Sequence, residues 1–319
     1  MTKVFIDGSE GTTGLRIHER FADREDLEIL SIDPEKRKDP AERKRLLNAC
    51  DVAFLCLPDD AARESAELVD NENTVIIDAS TAHRTSPGWV YGFPELRKEQ
   101  RDLIQKSRRI AVPGCYATGF ISLVYPMIAS GFLGKDYPVS SFALSGYSGA
   151  GKKAIAVYES PEKPLTHFSP REYALSQQHK HLKEMQAVTG LDSAPLFSPV
   201  VDDYYSGMFV TVPLYTKLLN SVSGPKDIHR MFAEYYADQS FIHVMPFGSE
   251  EAEKGFLSAN TLSGYDDLRI YVTGNEDRIL LTSLFDNLGK GASGAAVQCL
   301  NLVLGCEETK GLHMSEVNS

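Results

Sequence analysis

The sequence predicts an α/β fold in which a parallel sheet covered on both faces is followed by an α+β domain with a mainly antiparallel sheet. Three observations carry this. Continuous apolar runs at Val4-Phe5-Ile6, 52–57 and 74–77 alternate with helical patterns at 41–47 and 61–69, and strands apolar on both sides belong to parallel sheets. The first run enters a glycine-rich turn over 8–14, after which Leu15, Ile17 and Phe21 keep helical spacing. From Ser140 the texture changes, and 140–145, 208–215, 268–273 and 279–285 alternate as half-solvated strands do.

The turn reads Gly8-Ser9-Glu10-Gly11-Thr12-Thr13-Gly14. A strand before it and a helix after it make a dinucleotide pyrophosphate site, because glycines let the backbone approach and the helix N-terminus faces the phosphates. Gly8, Gly11, Thr12, Thr13 and Gly14 are therefore candidate cofactor residues in a Rossmann-type domain. The second strand is expected over 27–33, ending in Asp33, where an acidic residue usually meets a ribose 2′-hydroxyl. Lys36, Arg37 and Lys38 follow at once and suit a 2′-phosphate. The balance leans to NADP. Beyond the strand ending in Asp78, a loop carries Ser80, Thr81, His83 and Arg84. Ligands bind beyond the carboxyl ends of such strands, and a guanidinium takes oxyanions with paired donors.

Arg109-Ile110-Ala111-Val112-Pro113-Gly114-Cys115 is an apolar strand end broken by Pro-Gly, and helical spacing resumes from Phe120 to Ile128. That puts one sulfur at a strand-to-helix turn, where free amides and the helix dipole favour the thiolate. Cys115 is the candidate nucleophile, and the same amides can hold an oxyanion. Cys50, Cys56, Cys299 and Cys306 lie in apolar pattern and are read as packing. Gly146-Tyr147-Ser148-Gly149-Ala150-Gly151-Lys152-Lys153 lacks the spacing of a nucleotide-triphosphate loop and suits a loop facing a small oxyanion. Ser145, Ser148, Gly149 and Lys152, with Arg84, are the candidate phosphate residues.

A helix is expected over 178–187, opening with Gln178-His179-Lys180-His181. Residues two apart on a helix project about 200° from each other, so one imidazole at most would point into a cleft. His181 is the first choice as acid/base, because Glu184 would lie one turn later on its face; His179 is the second. The same geometry and the lack of a third ligand argue against a metal site. The small-residue pattern over 292–304 predicts a closing helix packed on the first domain, and the tail beyond Gly311 is expected to be disordered. The domains are expected at 1–114 with 288–319, and at 115–287.

The formal net charge of −11 argues against nucleic-acid binding. No run reaches the ~20 apolar residues of a membrane span. Five cysteines without paired spacing suit a reducing, cytoplasmic setting.

Taken together, 8–14, 54–58, Asp78-Ala79-Ser80, 91–96, 112–118, 145–152 and 286–291 resemble the N-acetyl-γ-glutamyl-phosphate reductase family in its shorter form. That family lies within the aspartate-semialdehyde and glyceraldehyde-phosphate dehydrogenase group. The resemblance implies NADPH-dependent reduction of an acyl phosphate to an aldehyde in arginine biosynthesis, with phosphate released. It implies a thioester on Cys115, His181 within the His-Lys-His-x-x-Glu segment, and Pro58, Ser80 and Asn287 as further cofactor residues. A small-molecule substrate and a homodimer or homotetramer follow from it as well. Two departures stand out: Leu182-Lys183 replaces the usual Thr-Pro, and 202–207 replaces a Pro-Met-x-Arg-Gly stretch, which removes its arginine. Aspartate-semialdehyde dehydrogenase and a non-catalytic cofactor-binding redox sensor are the rival readings.

Overall fold

The computed structural model describes residues 1–251 and 254–316. The chain forms two compact units, Met1–Gly114 with Ala292–Leu312, and Cys115–Gly291 with the segment from His313 on.

In the first unit, strands β1 (Thr2–Asp7), β2 (Leu27–Leu30), β3 (Val52–Leu55), β4 (Val75–Asp78), β5 (Val90–Tyr91) and β6 (Arg109–Ala111) form one sheet. Its order is β2-β1-β3-β4-β6-β5 and every pairing is parallel. Side chains alternate across the sheet, so each strand feeds two cores. Val4, Ile6, Phe54 and Ile77 pack to one side, and Phe5, Ala53, Leu55 and Ile76 to the other. Helices α1 (Thr12–Arg20), α2 (Pro40–Ala49), α3 (Asp59–Glu67) and α4 (Gln100–Lys106) supply the flanking layers. At the end of β1 the buried Asp7 carboxylate accepts from Arg43 of α2 at 3.1 Å and from Ser65 of α3 at 2.7 Å. That pair of bonds fixes where the glycine turn begins.

The second unit starts with α5 (Cys115–Ala129), whose flank is almost entirely buried. Then follow β7 (Ser140–Gly146), α6 (Lys152–Tyr158), β8 (Arg171–Glu172), α7 (Leu182–Thr189), β9 (Leu196–Asp202) and β10 (Met208–Tyr215). After them come α8 (Pro225–Tyr235), β11 (Ile242–Val244), β12 (Leu268–Gly274) and β13 (Arg278–Phe285). The sheet order is β11-β12-β13-β10-β7-β9-β8. The four expected strands are adjacent and antiparallel. The sheet is nonetheless mixed, because β9 pairs parallel with β7 and β11 parallel with β12. Helix α9 (Gly294–Leu304) returns to the first unit, where Gln298 donates to Glu95 at 2.7 Å and Asn301 accepts from Arg24 at 2.9 Å.

Four expectations are corrected. The second strand stops at Leu30, and Asp33 lies beyond it, its carboxylate accepting the Glu35 amide at 2.9 Å. The helix expected from Gln178 starts at Leu182, because His179-Lys180-His181 folds as a turn in which the Leu182 amide donates to the His179 carbonyl at 3.0 Å. The return to the first unit begins at Ala292 rather than 288. The tail is ordered past Gly311: Asp266 and Asp267 are fully buried, and their carboxylates take the amides of His313 at 2.9 Å and Ser315 at 2.8 Å. Buried carboxylates need donors, and the tail supplies them. Positions 317–319 lie outside the described residues.

Pro126 inside α5 cannot donate to the Ser122 carbonyl four residues back. Tyr236 fills that vacancy, its hydroxyl donating to the Ser122 oxygen at 2.8 Å in the core. Tyr236→Phe should therefore strand a buried carbonyl and cost about 1–3 kcal/mol, read as a lowered urea midpoint with the slope unchanged. An unchanged midpoint would show that Ser122 needs no such partner.

Candidate active site

Two places carry chemistry, one in each unit. In the first, the turn after β1 has Gly8 at φ +91°, with Cys56 oxygen 2.4 Å from where a Cβ would stand. Only glycine fits there. The Gly11 amide donates to the Gly8 carbonyl at 3.0 Å, and Gly11 caps α1 without a side-chain bond. Thr12 Oγ1 is buried with no hydrogen-bond partner among the described residues. An uncapped helix start with an unsatisfied hydroxyl fits a cofactor phosphate. Beside it a cavity of about 130 Å³ is lined by residues including Ser9, Glu10, Ile29, Ser31, Ile32 and Arg37. Arg37 reaches it with Glu10 at 3.5 Å. Lys36 and Asp33 are not in that lining.

Pro58 caps α3 in the same unit. Ser80 is buried and hydrogen-bonded through amide and hydroxyl to Asp78, both at 2.8 Å. Asp78 also meets His83 Nδ1 at 2.6 Å, and His83 stacks on Trp89. Arg84 donates to the carbonyls of Val112 at 2.8 Å and Ala79 at 3.2 Å, tying the ends of β4 and β6 together.

In the second unit a cavity of about 330 Å³ gathers Cys115, Ser145, Gly149 and His179 from the predicted set. Tyr116, Gly146, Ala150, Tyr173, Lys180 and Val201 complete the lining. Cys115 is the first residue of α5 and half-buried, so the amides of the first turn lack intrahelical acceptors beside the sulfur. A Cβ on Gly291 would stand 3.0 Å from Cys115 Cβ, so the absence of a side chain there leaves the nucleophile its place. Burial pushes the Cys50 thiol up to about 12; burial and then the Asp78 and Asp7 carboxylates push Cys56 up as well. Those two are packing residues.

His179 Nδ1 accepts the His181 amide at 3.1 Å. A neutral ring so held carries its proton on Nε2. His181 precedes α7 and is nearly buried, at 4% exposure, outside the lining. The two rings meet edge to face at 4.7 Å, with Tyr116 near both. Tyr173 Oη donates to Tyr116 Oη at 2.9 Å. Ser145, in the same lining, donates its hydroxyl to the Gly146 carbonyl at 2.8 Å. Burial raises both phenols well above their ordinary value, so this row of hydroxyls stays neutral and directed.

Ser148 is buried, its hydroxyl accepting from Asn287 Nδ2 at 2.8 Å, while Asn287 Oδ1 accepts the Gly207 amide at 2.9 Å. Lys152 opens α6 on the surface and does not line the cavity. Lys180, which carries no signal in the sequence, does. Tyr116, Tyr173 and Val201 were missed too; Tyr116 alone had a cue, its place beside Cys115. Among the described residues no cluster of His, Cys, Asp or Glu could hold a metal ion, and no helix is long and apolar enough to cross a membrane.

Comparison with known proteins matches residues 3–104 to the semialdehyde dehydrogenase NAD-binding domain and 115–287 to the semialdehyde dehydrogenase dimerisation domain. N-acetyl-γ-glutamyl-phosphate reductase 2 of Nostoc sp. is 47% identical over 318 residues, covering 97% of this chain and 99% of the relative. The reductase of Burkholderia cenocepacia is 45% identical over 304 residues, covering 95% and 97%. Aspartate semialdehyde dehydrogenase from Francisella tularensis superposes with a TM-score of 0.72 at 14% identity, covering 95% of this chain and 100% of that one. At that identity the likeness speaks for the fold alone.

Iodoacetamide at pH 8 should alkylate Cys115 ahead of Cys50 and Cys56, by about 10²-fold or more given the thiolate fractions. Peptide mass mapping over time reads the order. Earlier labelling of either packing cysteine would remove the activation argued for Cys115.

Proposed function

The chain belongs to the N-acetyl-γ-glutamyl-phosphate reductase family of semialdehyde dehydrogenases, and we propose that it reduces N-acetyl-γ-glutamyl phosphate to N-acetylglutamate semialdehyde with release of phosphate, in arginine biosynthesis. The observation that carries the reading is the cavity lined by a helix-start thiol and a tautomer-fixed imidazole.

Cys115 thiolate attacks the acyl carbon, the bond to the phosphate oxygen breaks, and a thioester forms. The first-turn amides of α5 stabilise the oxyanion on the way. NADPH, when bound, supplies the hydride that reduces this ester. His179 donates its Nε2–H as a hydrogen bond to the oxyanion of the reduced sulfur adduct, and as the C–S bond breaks the negative charge returns to Cys115 as thiolate and the aldehyde leaves. Lys180 faces the departing phosphate. The fixed Nε2–H and the cavity lining favour His179 over His181 as the donor to this oxygen; His181 acts on it through the amide it donates.

The glycine turn with its unsatisfied Thr12 hydroxyl would hold the cofactor pyrophosphate, and Arg37 the 2′-phosphate. The partner is a second copy of the chain, in a homodimer or a homotetramer. Phe142, Leu196, Phe209, Pro213 and Leu280 share the sheet face turned away from α5, and several of them are open to solvent. An apolar sheet face of that kind is covered in a stable protein. The free thiols suit a cytoplasmic setting.

The test is aldehyde-dependent reduction of NADP in phosphate. N-acetylglutamate semialdehyde should turn over, aspartate semialdehyde should not, and Cys115→Ser should be inactive. His179→Asn should lower kcat by about 10²–10³-fold, and His181→Asn by much less. Preference for aspartate semialdehyde would overturn the substrate; the opposite order of the two histidine variants would return the role to His181.

A further inference from the structure

Any acyl phosphate of an amino acid has a second anionic end, the α-carboxylate, and the stretch over 202–207 carries no arginine to receive it. The edge strand of the second sheet does. Arg171 opens β8 in antiparallel register with Val201 of β9. Register partners point to one face, and so do residues two apart along a strand. The ladder continues to Tyr173, whose amide donates to the Pro199 carbonyl at 3.1 Å. Val201 and Tyr173 both line the Cys115 cavity, so Arg171 rises from the same face beside them.

The guanidinium is half-buried and short of partners. Its hydrogen bond among the described residues runs from Nη2 to Tyr158 Oη at 2.7 Å, and the group lies over the Tyr158 ring at 5.3 Å. Its Nε is buried with no hydrogen-bond partner, and it makes no ion pair with a described carboxylate. Asp203 is already taken, both of its oxygens accepting from Lys163 at 2.7 Å. A partly buried charge without a counter-ion is costly to keep for packing alone. Tyr158 is itself fixed, stacked on Tyr147 at 4.6 Å and met edge-on by His167 at 4.9 Å. The cation is thus held in place on aromatic backing.

We propose that Arg171 binds the α-carboxylate of the substrate and selects for it. Lys180 lines the cavity itself and is the cation nearer the reacting end, which leaves the β8 guanidinium for the group several bonds from the acyl carbon. A guanidinium fork suits a carboxylate better than an ammonium would. The assignment rests on the substrate reading above.

The experiment compares two aldehydes in the NADP- and phosphate-dependent direction: N-acetylglutamate semialdehyde and 4-acetamidobutanal, which lacks only the carboxylate. The wild type should prefer the first by roughly 10- to 100-fold in kcat/KM, the usual value of a charged hydrogen bond. Arg171→Met should erase that preference through KM, leaving kcat/KM for 4-acetamidobutanal and the KM for phosphate as they were. Arg171→Lys should restore part of the preference. Unchanged turnover of 4-acetamidobutanal is the check on folding; Arg171→Gln, which keeps a donor for Tyr158, is the second neutral variant and should lose the preference equally. Equal losses for both aldehydes would make Arg171 structural, and a raised KM for phosphate with the preference intact would make it a phosphate residue; either overturns the proposal. A wild type that oxidises neither aldehyde would overturn the substrate reading and the proposal with it.

Discussion

Helix α5 begins at a thiol, and it can do so because its remaining turns are clamped. Its flank from Tyr116 to Val124 is buried, Ser283 of β13 donates to the Gly119 carbonyl at 3.2 Å, and Tyr236 repairs the gap left by Pro126. A helix so held cannot slide or fray at its start without breaking those contacts. The first-turn amides therefore stay fixed beside Cys115 Sγ, and the dipole that favours a thiolate acts at a set distance. Activation of the nucleophile is a packing property before it is an electrostatic one.

The same constraint reaches the opposite wall through the turn after β13. Asp286 accepts the Leu288 amide at 2.7 Å and the Ser206 hydroxyl at 3.2 Å, and the neighbouring Asn287 bridges Ser148 and Gly207. These groups are buried, so losing one partner would leave an unsatisfied polar atom rather than a solvated one. The turn they fix carries Gly291 against Cys115. It also ties the Tyr147–Ala150 turn, whose Gly149 and Ala150 line the cavity. One polar cluster thus sets the distance between the sulfur and the loop facing it.

The parts legible in the sequence were those with a period or a breaker. Val4-Phe5-Ile6 before Gly8, and Pro113-Gly114 before Cys115, announced their strand-to-helix turns through local chemistry alone. Elsewhere tertiary contacts decided. Asp33 read as a strand end because apolar residues continue to Ile32, yet pairing with β1 stops at Leu30. His179-Lys180-His181 read as helix because the apolar spacing after it is helical; the turn that sets the Nε2 tautomer has no sequence signature. The cavity residues Tyr173 and Lys180, and Arg171 beside it, belong to or follow a two-residue strand, too short for any periodicity to show. The ordered tail depended on Asp266 and Asp267, far away in the chain, needing its amides.

The chemistry turns on an acyl group carried by Cys115, and that can be weighed directly. The enzyme is mixed with N-acetylglutamate semialdehyde and NADP without phosphate, quenched in acid, digested and examined by mass spectrometry. An N-acetylglutamyl adduct is expected on the peptide containing Cys115, formed in step with one equivalent of NADPH and discharged when phosphate is added before the quench. NADPH formed with Cys115 unmodified, or an adduct on another residue, would contradict it.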